Sequence, residues 1–251
     1  MKNVVLLIIG NEILEGLRKD KNFAIAKEKL KDVARLVALL FVGDDIVSLK
    51  RALKFSKSIG DIIITSGGLG LTPDDITLLA ASKAFNIPLK KTEKKKKVVL
   101  KNLSKFDEGF YSKYIEELSL GLKGAVPLEN PKGVVAGERM DIGGKVFYIL
   151  PGVPNEFEAM LDIVIQQLKP TKEFQQEASY NVFEKEVNLI RVLRNVEKKF
   201  KVQTASYPPI EAGETLKIIL KSKLNTSFKE SITYFENYLK KHKIKFYKLI
   251  D

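Results

Sequence analysis

Three short turns concentrate the residues able to do chemistry: Gly10-Asn11-Glu12, Gly43-Asp44-Asp45, and the stretch from Ser66 to Asp75. Each follows an apolar run that reads as a β-strand, and strand carboxyl ends are where open α/β sheets place ligands. Together they offer Gly-rich backbone, the hydroxyls of Ser66 and Thr72, and the carboxylates of Glu12, Asp44, Asp74 and Asp75. That mixture suits a phosphate ester held with a hard cation. Backbone N–H groups of Ser66-Gly67-Gly68 favour an anion near a helix start. Carboxylates alone repel phosphate, and a divalent ion that takes oxygen ligands from both resolves the conflict. A plainer reading stands beside this one. Thr72-Pro73-Asp74-Asp75 is a good helix start, Asp44 and Asp45 are ordinary first-turn residues, and the glycines could serve only a tight turn. The stretch is neither a Walker A loop nor a dinucleotide fingerprint.

Composition narrows the chemistry further. The 251 residues contain no Cys and one His, His242, which excludes thiol nucleophiles, disulfides, Cys-bound zinc and any two-His metal site. A carboxylate-and-metal site is what remains. Hydrophobic residues at 45% and charged residues at 29% are ordinary for a globular chain. The run at residues 4–9 is too short for a signal core or membrane span, so a cytoplasmic location is expected. The net charge is +12. Residues 1–168 hold 26 Lys+Arg against 21 Asp+Glu, and residues 169–251 hold 17 against 10.

Positioning these turns requires alternating strands and helices. Strands are expected at residues 4–9, 37–42, 61–65 and 145–150, and helices from Asp20, from Asp44 or Asp45, from Thr72 with Pro73 in first position, over 95–120 and over 155–168. A boundary is expected at Lys169-Pro170-Thr171. Beyond it the order βαββαβ predicts a ferredoxin-like or KH-like plait. The fold class expected is α/β: a three-layer, open, mostly parallel sheet over residues 1–168, with a smaller α+β plait over 169–251. The plait is basic, but residues 215–221 carry no aromatic and no GXXG loop is present, so specific nucleic-acid recognition is not expected. The lysine cluster 90–97 reads as a solvated surface, and His242 as a surface residue.

The motifs in order resemble a known family. Ser66-Gly67-Gly68-Leu69-Gly70-Leu71-Thr72-Pro73-Asp74-Asp75-Ile76-Thr77 is similar to the signature of the molybdopterin-binding, MoaB/MogA-like fold, in the version of CinA-type N-terminal domains. Gly10-Asn11-Glu12-Ile13-Leu14-Glu15-Gly16, Asp20-Lys21-Asn22, Gly43-Asp44-Asp45 and Leu150-Pro151-Gly152-Val153-Pro154-Asn155-Glu156 resemble its other segments. Leu71 stands where the family has Pro, and Asn11 where it has Asp. Gly133-Val134-Val135-Ala136-Gly137 replaces its Gly-x-Ala-Pro-Gly.

The resemblance implies metal-dependent hydrolysis of a nucleotide pyrophosphate, ADP-ribose first, or alternatively a molybdopterin-binding or molybdenum-cofactor biosynthesis protein, with or without turnover. It implies Asp44 and Asp75 as holders of Mg²⁺, Mn²⁺ or Co²⁺, with Glu12 and Asp74 as a further ligand or base. Gly10, Asn11, Ser66, Gly67, Gly68, Gly70, Thr72, Thr77, Pro151 and Gly152 form the expected ligand-binding set. It implies a small nucleotide or pterin phosphate as ligand and a homo-oligomer as assembly. With the sequence ending at Asp251, the nicotinamide mononucleotide deamidase activity of longer relatives is not expected.

Overall fold

The computed structural model describes residues 1–105, 111–168, 175–211, 213–223 and 226–249. Contacts divide the chain into two units, Met1–Lys172 and Glu173–Asp251. The expected boundary at Lys169-Pro170-Thr171 lies outside the described residues.

In the first unit a six-stranded sheet runs in the order β2-β1-β3-β8-β7-β6. The strands are β1 (Lys2–Ile9), β2 (Ala34–Val42), β3 (Ile62–Ser66), β6 (Val126–Leu128), β7 (Gly137–Ile142) and β8 (Lys145–Leu150). The first four in spatial order pair parallel, and β7 and β6 join antiparallel. Because strand side chains alternate, β1 feeds two cores. Val4, Leu6 and Ile8 pack against α2 (Asn22–Leu30) and α7 (Pro154–Gln167). Val5, Leu7 and Ile9 pack against α3 (Ile46–Ile59) and α4 (Thr77–Phe85). The result is three layers, with the central strands β1, β3 and β8 largely buried on both faces. That is why β1, β3 and β8 read as continuous apolar runs. Pro154 occupies the first turn of α7, where its missing N–H costs nothing.

Two expected helices differ. Thr72-Pro73-Asp74-Asp75 does not begin α4; it forms a turn, and α4 starts at Thr77. The Asp75 carboxylate accepts from the N–H and the hydroxyl of Thr72, closing the turn before a helix can propagate. The helix expected over 95–120 is broken as well. It ends as α5 (Glu93–Leu103), and a 3-10 turn (Ser112–Tyr114) and short α6 (Ile115–Leu118) come later, with 106–110 outside the described residues. At the α5 end the Ser104 hydroxyl donates to the Lys101 carbonyl, a local bond that competes with further helix.

Strands β4 (Leu89–Lys91) and β5 (Leu120–Leu122) pair with each other, and with β6 and β7 they extend the expected set. The β7–β8 hairpin turns on Gly143-Gly144, both at positive φ, a two-residue turn whose twist matches the strands. Nor is the lysine cluster solvated throughout. Lys95 is buried, donating to Glu138 Oε1 at 2.6 Å and to the Leu120 carbonyl at 2.8 Å.

The second unit orders β10 (Gln203–Tyr207), β11 (Leu216–Lys223), β9 (Gln175–Val182) and β12 (Phe246–Leu249), all antiparallel. Helices α8 (Glu186–Phe200) and α9 (Phe228–Lys241) cover one face, packing Leu189, Val196 and Phe235 on Tyr180 and Ile218. This is the ferredoxin-like of the two plaits expected. Among the described residues no helix is long and apolar enough to cross a membrane.

Candidate functional site

The carboxyl ends of β1, β3 and β8 open into a cleft of about 370 Å³. Of the residues expected to act, Gly10, Glu12, Asp44, Ser66, Gly67, Gly68, Asp74, Asp75, Pro151 and Gly152 line it. Asn11, Gly70, Thr72 and Thr77 do not, and their work is to hold the walls.

Asn11 joins two strand ends. Its backbone N–H donates to Asp44 Oδ2 at 2.8 Å, and its Oδ1 accepts from the Asp44 N–H at 3.1 Å. The neighbouring Asp45 caps α3 by accepting from the N–H groups of Val47 and Ser48, and the Ser48 bonds above all hold its carboxyl below the usual range. Asp44 and Asp45 therefore divide the labour: one faces the cleft and the other starts the helix.

The third turn is fixed from below. Thr77 is fully buried and donates its hydroxyl to the Gly67 carbonyl at 2.9 Å, while its N–H bonds the Gly68 carbonyl at 3.0 Å. Gly67 sits at φ 112, and a Cβ there would collide with the backbone oxygen of Ile9. No side chain fits between β3 and β1 at this point, which lets the backbone itself form the cleft floor. Gly70 differs, because a Cβ on it would meet only the Asp75 carboxylate, which would have to shift.

Two cleft residues outside the expected set are as firmly placed. Asn22, at the start of α2, is 5% exposed and donates to Ser66 Oγ at 2.7 Å and the Gly152 carbonyl at 2.8 Å. It thereby links the turns after β3 and β8; its Oδ1 has no partner among the described residues. Asp20 supports it, accepting from the N–H groups of Asn22 and Phe23. Glu156, in the first turn of α7, accepts from Asn130 Nδ2 at 2.7 Å. Burial pushes its carboxyl up, and the Asn130 bond opposes that only in part. Both residues stand inside the motif segments at 20–22 and 150–156, which was the available signal. Arg18, Lys19, Lys21 and Tyr111 also line the cleft, so cations stand among its carboxylates.

Asp44 and Asp75 each spend one carboxylate oxygen on a local bond, Asp44 to the Asn11 N–H and Asp75 to Thr72. Among the described residues no three acidic, His or Cys side chains converge closely enough to hold an ion by themselves. An ion of the Mg²⁺ type takes one or two carboxylates and completes its shell with ligand phosphate and water.

Residues 5–170 match the family model described as "Probable molybdopterin binding domain". A CinA-like protein from Thermotoga maritima is 34% identical over 170 residues, 67% of this chain and 41% of that protein. A protein from Thermococcus kodakarensis is 30% identical over 244 residues, 92% of this chain and 95% of its own. The crystal structure of CinA from Thermoplasma acidophilum, described as of unknown function, superposes with a TM-score of 0.59. It has 29% identity, over 66% of this chain and 97% of that one. The chain spans about two-fifths of the length of the CinA-like relatives from Thermotoga.

Proposed function

The chain belongs to the molybdopterin-binding domain family, and from that premise we propose that its cleft binds a pterin or nucleotide carrying phosphate. The observation that carries this reading is the Gly67-Gly68 turn at the cleft floor, where backbone replaces side chains between β1 and β3. Phosphate oxygens lie against that turn, with Ser66 beside it and Arg18, Lys19 and Lys21 supplying positive charge at the wall. The flat heterocycle takes the remaining volume toward Pro151 and Gly152.

Hydrolysis of a nucleotide pyrophosphate such as ADP-ribose is the second reading, favoured by Asp44 and Asp75, which line the same cleft, each with one carboxylate oxygen unbonded among the described residues. In that reading these two hold Mg²⁺, Mn²⁺ or Co²⁺. A bound ion would supply Lewis-acid polarisation of the phosphoryl group. Glu12 or Asp74 takes the proton of the attacking water, and the backbone turn holds the phosphates in line.

Calorimetric titration with molybdopterin precursors, ADP-ribose, FAD and NAD, with and without each ion, tests both. Micromolar binding that is lost when Gly67 is replaced supports the cleft, and absence of any binding overturns it. Chromatography of the same mixtures reads turnover. Asp75→Asn is expected to abolish ADP-ribose hydrolysis while leaving the circular dichroism spectrum unchanged. An unaltered rate would sink the hydrolytic reading and leave the binding reading standing.

A further inference from the structure

Among the described residues both helices of the second unit pack on one face of its sheet, and on the other face strand pairing gathers residues that are far apart in sequence. Val182, Ile218 and Phe246 point into the helix-covered core, so their immediate neighbours point the other way. Pairing sets Tyr207 opposite Lys217, Lys217 opposite Asn181, and Asn181 opposite Tyr247. These four make one row across the sheet. With neighbouring strands about 4.8 Å apart, the two tyrosines stand roughly 14 Å from each other. Tyr207 is 53% exposed and Tyr247 54%. At the Tyr247 end, Phe183 adds a second ring, edge-on at 5.6 Å between centroids. The Lys245 ammonium lies 4.8 Å from the Phe183 ring centre and 5.4 Å from that of Tyr247.

A protein-binding patch has an apolar centre depleted of lysine and a polar rim. This row is the inverse, with Lys217 and Asn181 at its centre and aromatic rings at both ends. The surrounding sequence is basic, 17 Lys+Arg against 10 Asp+Glu over residues 169–251. Cations between exposed rings suit a partner that carries flat faces and negative charge together. Single-stranded nucleic acid does so. In a duplex the base faces are already stacked on one another and closed to the rings.

We infer that this open face binds single-stranded nucleic acid without sequence preference. Bases stack on Tyr207 and on the Tyr247–Phe183 pair, and Lys217 and Lys245 neutralise phosphates. The inference is independent of the ligand in the first unit's cleft.

Fluorescence anisotropy of labelled oligouridylate and oligothymidylate with the full chain is the test, beside a duplex of equal length. Binding should favour the single strands and weaken as salt rises. Replacing both Tyr207→Ala and Tyr247→Ala should weaken it about tenfold or more. Tyr207→Phe with Tyr247→Phe should retain it, and Lys217→Gln should flatten the salt dependence. Ligand titration at the cleft should be unchanged in all three variants. Failure to bind at low salt, preference for the duplex, or equal binding by the alanine pair would each overturn the inference. So would a concentration-dependent dimer of the full chain that disappears in the alanine pair and leaves oligonucleotide binding unchanged, because the face would then belong to a second copy.

Discussion

The two units bury different chemistry. Inside residues 1–172, Asn22, Thr77, Lys95, Asn102, Asn130 and Glu138 are each at most 5% exposed, whereas among the described residues beyond 173 the equally buried side chains with polar groups carry hydroxyls, those of Ser179, Ser231 and Tyr180. A buried amide or charge is costly unless fully paired, so it persists where one geometry must be specified. In the first unit those groups fix loops: Asn22 ties Ser66 to Gly152, Thr77 holds Gly67, and Asn130 places Glu156. In the second unit the surface proposed to bind is the face of a sheet, which strand register arranges over an apolar core under the helices.

This contrast can be broken experimentally, most forcefully at Lys95. Lys95→Ala strands Glu138 in the interior and is expected to cost the first unit about 3–5 kcal/mol in chemical denaturation. Lys95→Met combined with Glu138→Leu should restore part of that loss, because the Leu120 carbonyl and the Leu122 N–H lose their partners. Amide hydrogen exchange over residues 175–249 should not change, and a parallel loss there would contradict the division into two stabilities. Thr77→Val comes next. It leaves the Gly67 carbonyl without its donor and should cost about 1–3 kcal/mol, with weaker ligand binding and no disturbance of the second unit.

The smallest effect belongs to Glu156 and depends on pH. Its carboxyl is raised in the folded state, so its contribution to stability is fully present below the ordinary carboxylate range. That contribution is lost as pH rises through the folded value. Glu156→Gln removes the ionisation and keeps an acceptor for Asn130. The variant's melting temperature should gain on the parent near neutrality and converge with it in acid. A constant difference across pH would show that Glu156 is not held in its burial-raised state.

Much of the scaffold was legible because its signals are local. Strand β8 at Lys145–Leu150 is a continuous apolar run, and the βαββαβ order of the plait follows from alternation and helical spacing within short windows. Turns at strand ends were legible for the same reason. What escaped depends on partners remote in sequence. Asn22 reads as a helix-start residue until Ser66 and Gly152 are brought beside it. Lys95 looks solvated among its lysine neighbours because Glu138 is 43 residues away. Residues 215–221 carry no trace of the aromatic row, since its rings come from β10, β12 and Phe183 rather than from β11. Gly143-Gly144 is a local turn signal, but the charged β7 before it does not look like a strand.

The bonds of Asn22 also have a temporal meaning. Its two partners lie 44 and 130 residues further along the chain. Contacts of such separation are formed late, because the loop between them must be closed first. A nascent chain can therefore fold α2 against β1 while still unable to seal the cleft. Only after residues beyond Gly152 have left the ribosome does the floor meet its wall. For the binding proposed above, competence would thus wait on the closure of these two long loops.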